Sequence, residues 1–178
     1  ISERKRAEMA LRQSEERFAL AVAGSNDGIV DWDIVNDRMY SSEQAMRIVG
    51  VESDVTVRSR AEWRDLVKYH PDDLQRMRDD LQNFLDGQSE LRDGEYRVQL
   101  PSGEYRWIRH RNKCVRDSNG RPIRVAGSVS DVDAHKRAEE ALRQSEERYQ
   151  LVVAGSNEGM WDWDMRKETF FFSARAQE

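Results

Sequence analysis

The segment ALRQSEER occurs twice in this chain, at 10–17 and again at 141–148. The similarity is wider than these residues, because KRAEMALRQSEERF returns as KRAEEALRQSEERY and AGSNDGIVDWD returns as AGSNEGMWDWD. An offset of 131 residues is too long for a solenoid repeat and matches one small domain with its connector. The repeat therefore predicts one complete structural unit between two copies of the same joint, in a fragment of a longer tandem array.

The same offset sets the expected domain boundaries. We expect a connector helix after an upstream domain at 1–22, a complete domain at 23–133, a second connector helix at 134–154 and the truncated start of a further domain at 155–178. The truncated segment is too short to fold alone, since it lacks the remaining strands of its sheet.

Composition limits the classes of function. Hydrophobic residues make up 38% of the 178 residues, enough for one core with a remainder, and 35% are charged, which favours long solvated helices. The net charge of −5 and the absence of a basic block argue against nucleic-acid binding. There is no apolar run of about 20 residues, so we expect no direct membrane contact of this chain, which leaves open a parent protein associated with a membrane. The single cysteine, Cys114, excludes an internal disulfide and suits a reducing cytoplasm.

Both joints carry small or apolar residues at alternating steps of four and three, which predicts helices with a coiled-coil seam. The first seam consists of Ala7, Leu11, Ser14, Phe18 and Ala21, and the second of Ala138, Leu142, Ser145, Tyr149 and Val152. Because both copies keep the same seam, we expect a parallel homodimer through the connector helices. The alternative is a solvated linker helix, since the seam is short and contains serine.

Between the joints the periodicity predicts an α+β domain with an antiparallel sheet. Alternation of apolar and polar residues predicts strands at 29–34, 38–40, 90–100, 104–116 and 122–132. Helices are expected after a capping box at Ser41–Gln44, within 61–69, and from Pro71 to the Asp86-Gly87 stop.

Three stretches carry a family resemblance: GIVDWDIVND, the tryptophan of EWRDLVKYHPDD, and EYRVQLPSGEYRWIRHRNKCVRDSNGRPIRVAGSVSDVDAHKRAEEAL. In this order and spacing they resemble a PAS sensor domain with its C-terminal PAC portion, from about Ser25 to Lys136. The most similar variety has PAC strands that read G-x-x-R-W-I and end in D-I-T-E-x-K. The resemblance implies a five-stranded antiparallel sheet, with short helices that enclose a small pocket over one face. Such domains usually lie in tandem upstream of a histidine kinase, a cyclic-di-GMP enzyme or another output domain.

The resemblance also implies a sensor and signal-relay module. A ligand or partner event in the core would shift the last strand, and Asp131, Val132 and Asp133 would pass the shift to the following helix. Asp131 matches the D-I-T motif, whereas Asp133 replaces its threonine, so that the hydrogen bond of the threonine is in question. The alternative function is a ligand-free dimerisation spacer with a filled core, which holds signalling domains in register.

No group of residues predicts catalysis or metal binding, so we expect a regulatory fragment whose parent protein carries any enzymatic output. His70 precedes Pro71 at a helix start, where capping explains it. Asp31 and Asp33 fit a solvent-facing strand edge better than a catalytic carboxylate pair. His135 does not lie in the H-E-x-R-x-P motif of histidine kinases, and the three histidines fall in three separate elements without zinc-ligand spacing.

The long strand at 104–116 has two faces. One face consists of Ile108, His110, Asn112 and Cys114, and the other of Trp107, Arg109, Arg111 and Lys113. If the first face points inward, His110 and Asn112 place polar groups in the pocket; otherwise they lie at the sheet edge or against another protomer. The residues expected to line a ligand pocket are Trp32, Met77, Leu81, Tyr96, Ile108, His110 and Asn112.

The cofactors of this family are not expected here. Flavin-binding members carry a G-R-N-C-R-F-L-Q helix, which this chain lacks, and haem-binding members place a histidine inside the long helix, where 72–86 has none. Cys114 lies on a strand, unlike the chromophore-linked cysteine of the yellow photoreceptor. We therefore expect no haem, flavin or other chromophore, and either a small metabolite or no ligand.

Overall fold

A computed structural model describes residues 3–155, 161–164 and 169–172 of the chain. The chain forms two compact units, Ile1–Asp133 and Ala134–Glu178. The first contains α1 (Glu3–Ser25), β1 (Gly28–Asp33), β2 (Arg38–Ser41), α2 (Glu43–Ile48), β3 (Val57–Arg58), α3 (Arg60–Leu66), α4 (Pro71–Leu85), β4 (Leu91–Gln99), β5 (Tyr105–Arg116) and β6 (Pro122–Asp131). The second contains α5, which begins at the unit boundary (Asp133–Gly155), β7 (Trp161–Asp164) and β8 (Thr169–Phe172).

Six of the described strands form one antiparallel sheet in the order β3-β2-β1-β6-β5-β4. This confirms the α+β class and the antiparallel sheet, but the sheet has six strands rather than the expected five. The additional strand, β3, contains only Val57 and Arg58, which pair with Tyr40 and Met39 at the sheet edge. A strand of two residues is too short to show alternation, so the sequence does not predict it.

Helix α2 begins one residue later than the predicted capping box. Ser42, not Ser41, is the N-cap, and its hydroxyl oxygen accepts hydrogen bonds from the backbone N–H groups of Ala45 (3.2 Å) and Ile29 (3.0 Å). Ser41 is instead the last residue of β2, where it pairs with Val30 and is buried. The helix start therefore moves because strand pairing continues one residue further than the sequence pattern indicates.

Helix α4 begins and ends where the sequence predicts. His70 is the N-cap residue, whose ring Nδ1 accepts a hydrogen bond of 3.2 Å from the backbone N–H of Asp72, and Pro71 opens the first turn. Asp86 is the C-cap, and Gly87 follows it with a φ of +84°, in the left-handed region that favours glycine. The histidine is thus explained as a helix cap.

The main core is formed by the sheet, α2, α3 and the segments that follow these helices. Its buried residues are Val30, Ala45, Met46, Ile48, Val49, Val51, Trp63, Val67, Val98, Ile108 and Val129. Helix α2 lies directly against β1 because Gly28 has no side chain: a Cβ there would lie 2.2 Å from the Cα of Ala45. Any other residue at position 28 would push the helix away from the sheet.

Both long helices expose their predicted seams. None of the residues of α1, which the structure describes in full, is buried. Leu11 and Phe18 of the first seam and Leu142 and Val152 of the second lie open to solvent in the single chain. Among the described residues there is no helix with the length and apolar character needed to span a membrane.

The second unit also contains two paired strands. Strands β7 and β8 are antiparallel, with Trp161 paired with Phe172. The rings of Trp163 and Phe170 stack with their centroids 5.1 Å apart. The further domain expected at 155–178 lies, apart from Gly155 and these strands, outside the described residues.

A buried ion pair joins α4 to β4. Asp73 is 5% exposed, and its carboxylate accepts hydrogen bonds from Arg97 Nε (2.9 Å), Arg97 Nη2 (3.0 Å) and the Arg97 backbone N–H (2.9 Å). These hydrogen bonds and the charge of Arg97 lower the pKa of Asp73 to about 2, although burial acts in the opposite direction. Asp73 lies in the first turn of α4, where a carboxylate complements the helix dipole, and its ion pair with Arg97 also fixes α4 on the sheet.

We expect Asp73→Asn to lower the free energy of unfolding by about 2–3 kcal/mol, because a neutral amide cannot replace the charge-assisted hydrogen bonds to Arg97. Urea unfolding at pH 7 measures the difference. The matched control is Asp72→Asn in the same turn, where the carboxylate is exposed and its loss should cost less than about 1 kcal/mol. Equal losses in the two variants would contradict the anchoring role of Asp73.

Candidate functional site

Strand β5 presents a polar pair to the interior. Ile108, His110 and Asn112 are all buried, whereas Arg111 and Lys113 are exposed on the other face. Burial decides between the two faces, because the buried residues of β5 alternate with residues that are half-buried or exposed. A histidine and an amide in the interior need polar partners, and these partners define the site.

A partly enclosed cavity of about 40 Å³ lies against this face. Its polar side chains are Arg60, Tyr69, Arg92, His110 and Asn112. Its apolar side chains are Val30, Trp32, Met39, Trp63, Met77, Leu81 and Val125. Several polar groups therefore converge in an otherwise apolar space, which is the composition of small-molecule sites.

His110 and Tyr69 form a neutral pair. The Tyr69 hydroxyl lies 3.1 Å from Nε2 of His110. Burial, reinforced by the charges of Arg92 and Arg60, lowers the pKa of His110 to about 3. Burial also raises the pKa of the Tyr69 hydroxyl. Both groups are uncharged at pH 7, so the pair is suited to hydrogen bonding and not to general acid–base catalysis near neutral pH.

Tyr96 connects the cavity to α4. Its ring meets that of Tyr69 edge to face, with centroids 6.1 Å apart, and lies 6.1 Å from the ring of His110. Its hydroxyl donates a hydrogen bond of 2.7 Å to Asp80 of α4. Burial and this hydrogen bond raise the pKa of Tyr96 to about 12, against the opposing charge of Arg92. The rings of Tyr69 and Tyr96 therefore surround the His110 ring, and the Tyr96 hydroxyl links this group to α4.

Two arginines of the described chain reach this region. Arg92 is 9% exposed and its guanidinium lies 5.5 Å from the centroid of the Tyr96 ring, while that of Arg60 lies 5.6 Å from the Trp32 ring. Burial, with a contribution from the charge of Arg92, lowers the pKa of Arg60. Among the described residues that line the cavity there is no carboxylate, so the site carries a net positive charge.

The structure brings most of the predicted pocket residues together. Those that line the cavity are Trp32, Met77, Leu81, His110 and Asn112. Tyr96 is fully buried and contacts the His110 ring, and Ile108 is fully buried in the hydrophobic core. The predicted set therefore forms one connected region, with two of its members behind the cavity wall.

Sequence reasoning did not select Arg60, Tyr69 or Arg92. Arg92 carries a usable signal, because it lies on β4 at even spacing from Tyr96 and Val98 and so shares the face of these core residues. A charged residue in phase with a buried face indicates a function or an ion pair. Arg60 and Tyr69 give no such signal, since they lie at a helix start and in a connection whose positions depend on tertiary packing.

A larger depression on the surface is a weaker candidate. It measures about 720 Å³, is open to solvent and lies between α2 and the β4–β5 turn. The guanidinium of Arg106 at its edge already donates to the carbonyl oxygens of Arg47 (3.2 Å) and Ile48 (3.0 Å) and pairs with Asp131 (3.2 Å). The guanidinium of Arg106 is thus engaged within the protein, whereas Nε and Nη2 of Arg92 at the cavity are not.

The acidic pair of β1 is engaged away from the cavity. Asp31 forms a bidentate ion pair with Arg124, and Asp33 accepts hydrogen bonds from the backbone N–H (3.0 Å) and the side-chain amide (2.7 Å) of Asn36. In the part of the chain that the structure describes, His, Cys, Asp and Glu side chains do not form any group of three that could hold a metal ion.

The residues after β6 contact the beginning of β5. The Asp133 carboxylate accepts a hydrogen bond from the backbone N–H of Trp107 (3.2 Å), and the Val132 N–H donates to the Trp107 carbonyl (3.0 Å). Asp131 accepts from the Asp133 N–H (2.9 Å) and pairs with Arg106. Asp133 lies at the position of the family threonine, and its carboxylate accepts a hydrogen bond from the backbone of β5.

Known proteins share this architecture. The family described as the PAS fold matches residues 38–129. The crystal structure of a sensory box histidine kinase/response regulator from Burkholderia thailandensis is 35% identical, with a TM-score of 0.64, over 75% of this chain and 98% of that chain.

Two curated relatives are longer than this chain. The two-component sensor PprA of Pseudomonas aeruginosa is 31% identical over 122 residues, which are 66% of this chain and 12% of PprA. An uncharacterised protein of Pseudomonas chlororaphis is 29% identical over 157 residues, which are 85% of this chain and 61% of that protein. The chain therefore spans less than two thirds of the length of either relative.

The antiparallel sheet, the short helices and these similarities define a sensor module of signal-transduction proteins. The chain belongs to the PAS fold family, as the ordered motifs between Ser25 and Lys136 indicate.

We expect the free energy of unfolding to fall as the pH is lowered from 7 to 4.5. In this range the unfolded chain binds a proton on histidine, near the usual pKa of 6.5, while His110 in the fold stays neutral down to about pH 3. The slope from this one group is at most about 1.4 kcal/mol per pH unit. Asp73 does not act in this range, because its contribution is lost only below the usual pKa of 3.8.

Urea unfolding at several pH values tests this expectation. His110→Gln removes the titrating group and should flatten the profile. The control is His135→Gln, which changes an exposed histidine and should leave the profile as it is. The expectation is wrong if the two variants have the same pH dependence.

Proposed function

We propose that the PAS unit detects a small molecule in the cavity beside His110 and passes the change to α5. The observation that carries this proposal is the path of one strand. Strand β5 places His110 and Asn112 at the cavity and Arg106 and Trp107 against the residues that lead into α5. A ligand that shifts β5 along or across the sheet would therefore alter contacts at both places.

The input rests on the polar groups of the cavity. The Tyr69 hydroxyl, the His110 imidazole and the Asn112 amide are held by packed aromatic rings and strands, so they are preorganised for a ligand. A ligand that binds more tightly to one of two arrangements of the sheet would shift the equilibrium toward that arrangement. The size of the shift in free energy is limited by the difference in binding free energy between the two arrangements.

The output rests on Asp131 and Asp133. The guanidinium of Arg106 links Asp131 to the carbonyl oxygens at the end of α2, and the Asp133 carboxylate holds the Trp107 N–H. A change of α2 or β5 would reach the first residue of α5 through these contacts. Asp131, Val132 and Asp133 are therefore the proposed relay.

The proposed partner is a second copy of the chain. Ala138, Leu142, Ser145, Tyr149 and Val152 lie on the exposed surface of α5. Exposed Leu142, Tyr149 and Val152 at heptad spacing support a parallel homodimer, in which the signal changes the register or crossing angle of the paired helices. We place the chain within a longer cytoplasmic protein, next to further PAS domains and a histidine-kinase or cyclic-di-GMP output domain.

A structural spacer is the second candidate. The cavity volume of about 40 Å³ favours it, because sites for drug-sized ligands measure about 300–1,000 Å³. In this function the PAS unit binds nothing and sets the distance and register of neighbouring domains.

Native mass spectrometry of the freshly purified chain, with a denatured control, separates the two functions. The sensor function predicts a mass excess that is lost on denaturation. Asn112→Leu, which puts an apolar side chain into the cavity wall, should abolish the excess, while Asn83→Leu on the exposed surface of α4 should retain it. Absence of any excess favours the spacer, and the same spectra report whether the chain is a dimer.

An insertion series tests the relay through α5. With residues 1–154 fused to a histidine-kinase output domain, insertion of seven residues within 136–149 should preserve regulation, because a full heptad restores the seam. Insertion of one residue should abolish regulation, since the seam rotates away from the partner. Equal effects of the two insertions on autophosphorylation would contradict the relay.

A further inference from the structure

Arg92 forms no ion pair with a carboxylate of the described residues, and its neighbours are the ring and the hydroxyl of Tyr96. The residue is 9% exposed, and its Nε and Nη2 are buried without a hydrogen-bond acceptor among the described residues. The guanidinium stays protonated at any physiological pH. A buried cation without an opposite charge costs free energy, which contact with a neutral tyrosine offsets only in part, so its retention in the interior needs an explanation.

Other arginines of the described chain show what these two nitrogens bind. Arg97 Nε and Nη2 hold the Asp73 carboxylate at 2.9 Å and 3.0 Å, and Arg109 Nε and Nη2 hold the Asp93 carboxylate at 2.6 Å and 2.7 Å. Arg124 holds the Asp31 carboxylate with the same pair of atoms.

In each case one edge of a planar guanidinium donates two parallel hydrogen bonds to the two oxygens of a carboxylate. The equivalent edge of Arg92 lacks this acceptor among the described residues. A carboxylate is therefore the acceptor that would satisfy Nε and Nη2 of Arg92.

The electrostatics of the cavity favour an anion. The lining contains the guanidinium groups of Arg92 and Arg60, and its described residues include no acidic side chain that could neutralise them. His110 and Tyr69 are uncharged at neutral pH and contribute hydrogen-bonding groups only. An anion entering this space would gain favourable interactions with both guanidinium groups. The carboxylates of Asp37, which accepts from the Arg60 backbone N–H, and of Asp80, which accepts from the Tyr96 hydroxyl, lie outside the lining.

We infer that the cavity binds a small monocarboxylate, held bidentately by Nε and Nη2 of Arg92. The Asn112 amide and the Tyr69–His110 pair supply further hydrogen-bonding groups at the same cavity. This inference rests on the proposed sensor function and names the class of ligand that the sensor detects.

The volume restricts the ligand to the smallest carboxylates. A cavity of about 40 Å³ corresponds to about three water positions, which is the scale of formate, acetate or propionate. Met39, Met77 and Leu81 line the space, and the flexible methionine side chains can adjust as the carboxylate approaches the guanidinium edge. The short aliphatic end of acetate or propionate would contact these apolar groups.

Thermal unfolding of the complete chain at pH 7 tests the inference. Sodium acetate and sodium propionate should raise Tm in a saturable manner, beyond the effect of sodium chloride at the same ionic strength. Acetamide has the shape of acetate without its charge and should have no saturable effect. Tm values that respond to acetate and propionate no more than to chloride would overturn the inference.

Variants of Arg92 assign the effect to this residue. Arg92→Met should reduce the affinity for acetate at least tenfold while leaving the ligand-free chain at least as stable, because it removes a buried cation that has no opposite charge. Arg92→Lys keeps the charge and loses the planar fork, and should also weaken binding. The matched control is Arg109→Met, which removes a surface arginine and should keep the acetate response. An unchanged acetate affinity in Arg92→Met and Arg92→Lys would overturn the inference.

A second measurement separates this inference from the proposed function. Hydrogen exchange of the amides of Asp133 and the first turn of α5 is followed with and without saturating acetate. Saturable binding that depends on Arg92 supports the carboxylate site whether or not exchange changes. If acetate binds but the hydrogen exchange of these amides does not change, the proposed relay is wrong and the carboxylate site stands. An equal increase in Tm with acetamide and with acetate would overturn the carboxylate inference. The proposed sensor function would then stand, with a neutral ligand.

Discussion

The position of β5 between β4 and β6 is the constraint on which the rest of the molecule depends. A strand turns alternate side chains to opposite faces, so one choice of register places Ile108 in the core and His110 and Asn112 at the cavity together. The same strand brings its backbone at Trp107 to the residues that lead into α5. A register shift of one residue would move all of these groups to the wrong face.

The cavity combines features that do not favour stability. An imidazole whose pKa is lowered to about 3 and a guanidinium edge without a described acceptor lie within a shell of tryptophan, tyrosine and methionine. Apolar side chains of similar volume would fill this space at lower cost. Departures of this kind from simple core packing concentrate at functional sites, which is why the proposed ligand site lies here.

Much of the fold could be predicted, because it depends on local patterns. The period-two alternation located the three long strands, and the Pro71 and Gly87 signals located both ends of α4. The cap of α2 was misplaced from Ser42 to Ser41 because strand pairing, a non-local interaction, decides where β2 ends. Strand β3 is equally non-local, since Val57 and Arg58 are extended only through their pairing with β2.

The sequence by itself determined the repeated segments, the PAS family, the antiparallel α+β architecture and the heptad spacing along the two long helices. These properties depend on periodicity and motif order, which can be read along the chain. Only the tertiary structure decided which face of β5 is buried and that Arg60, Tyr69 and Arg92 meet at His110. The reason is physical: these residues come from separate elements, and their proximity exists only once the sheet has formed and the helices have packed on it.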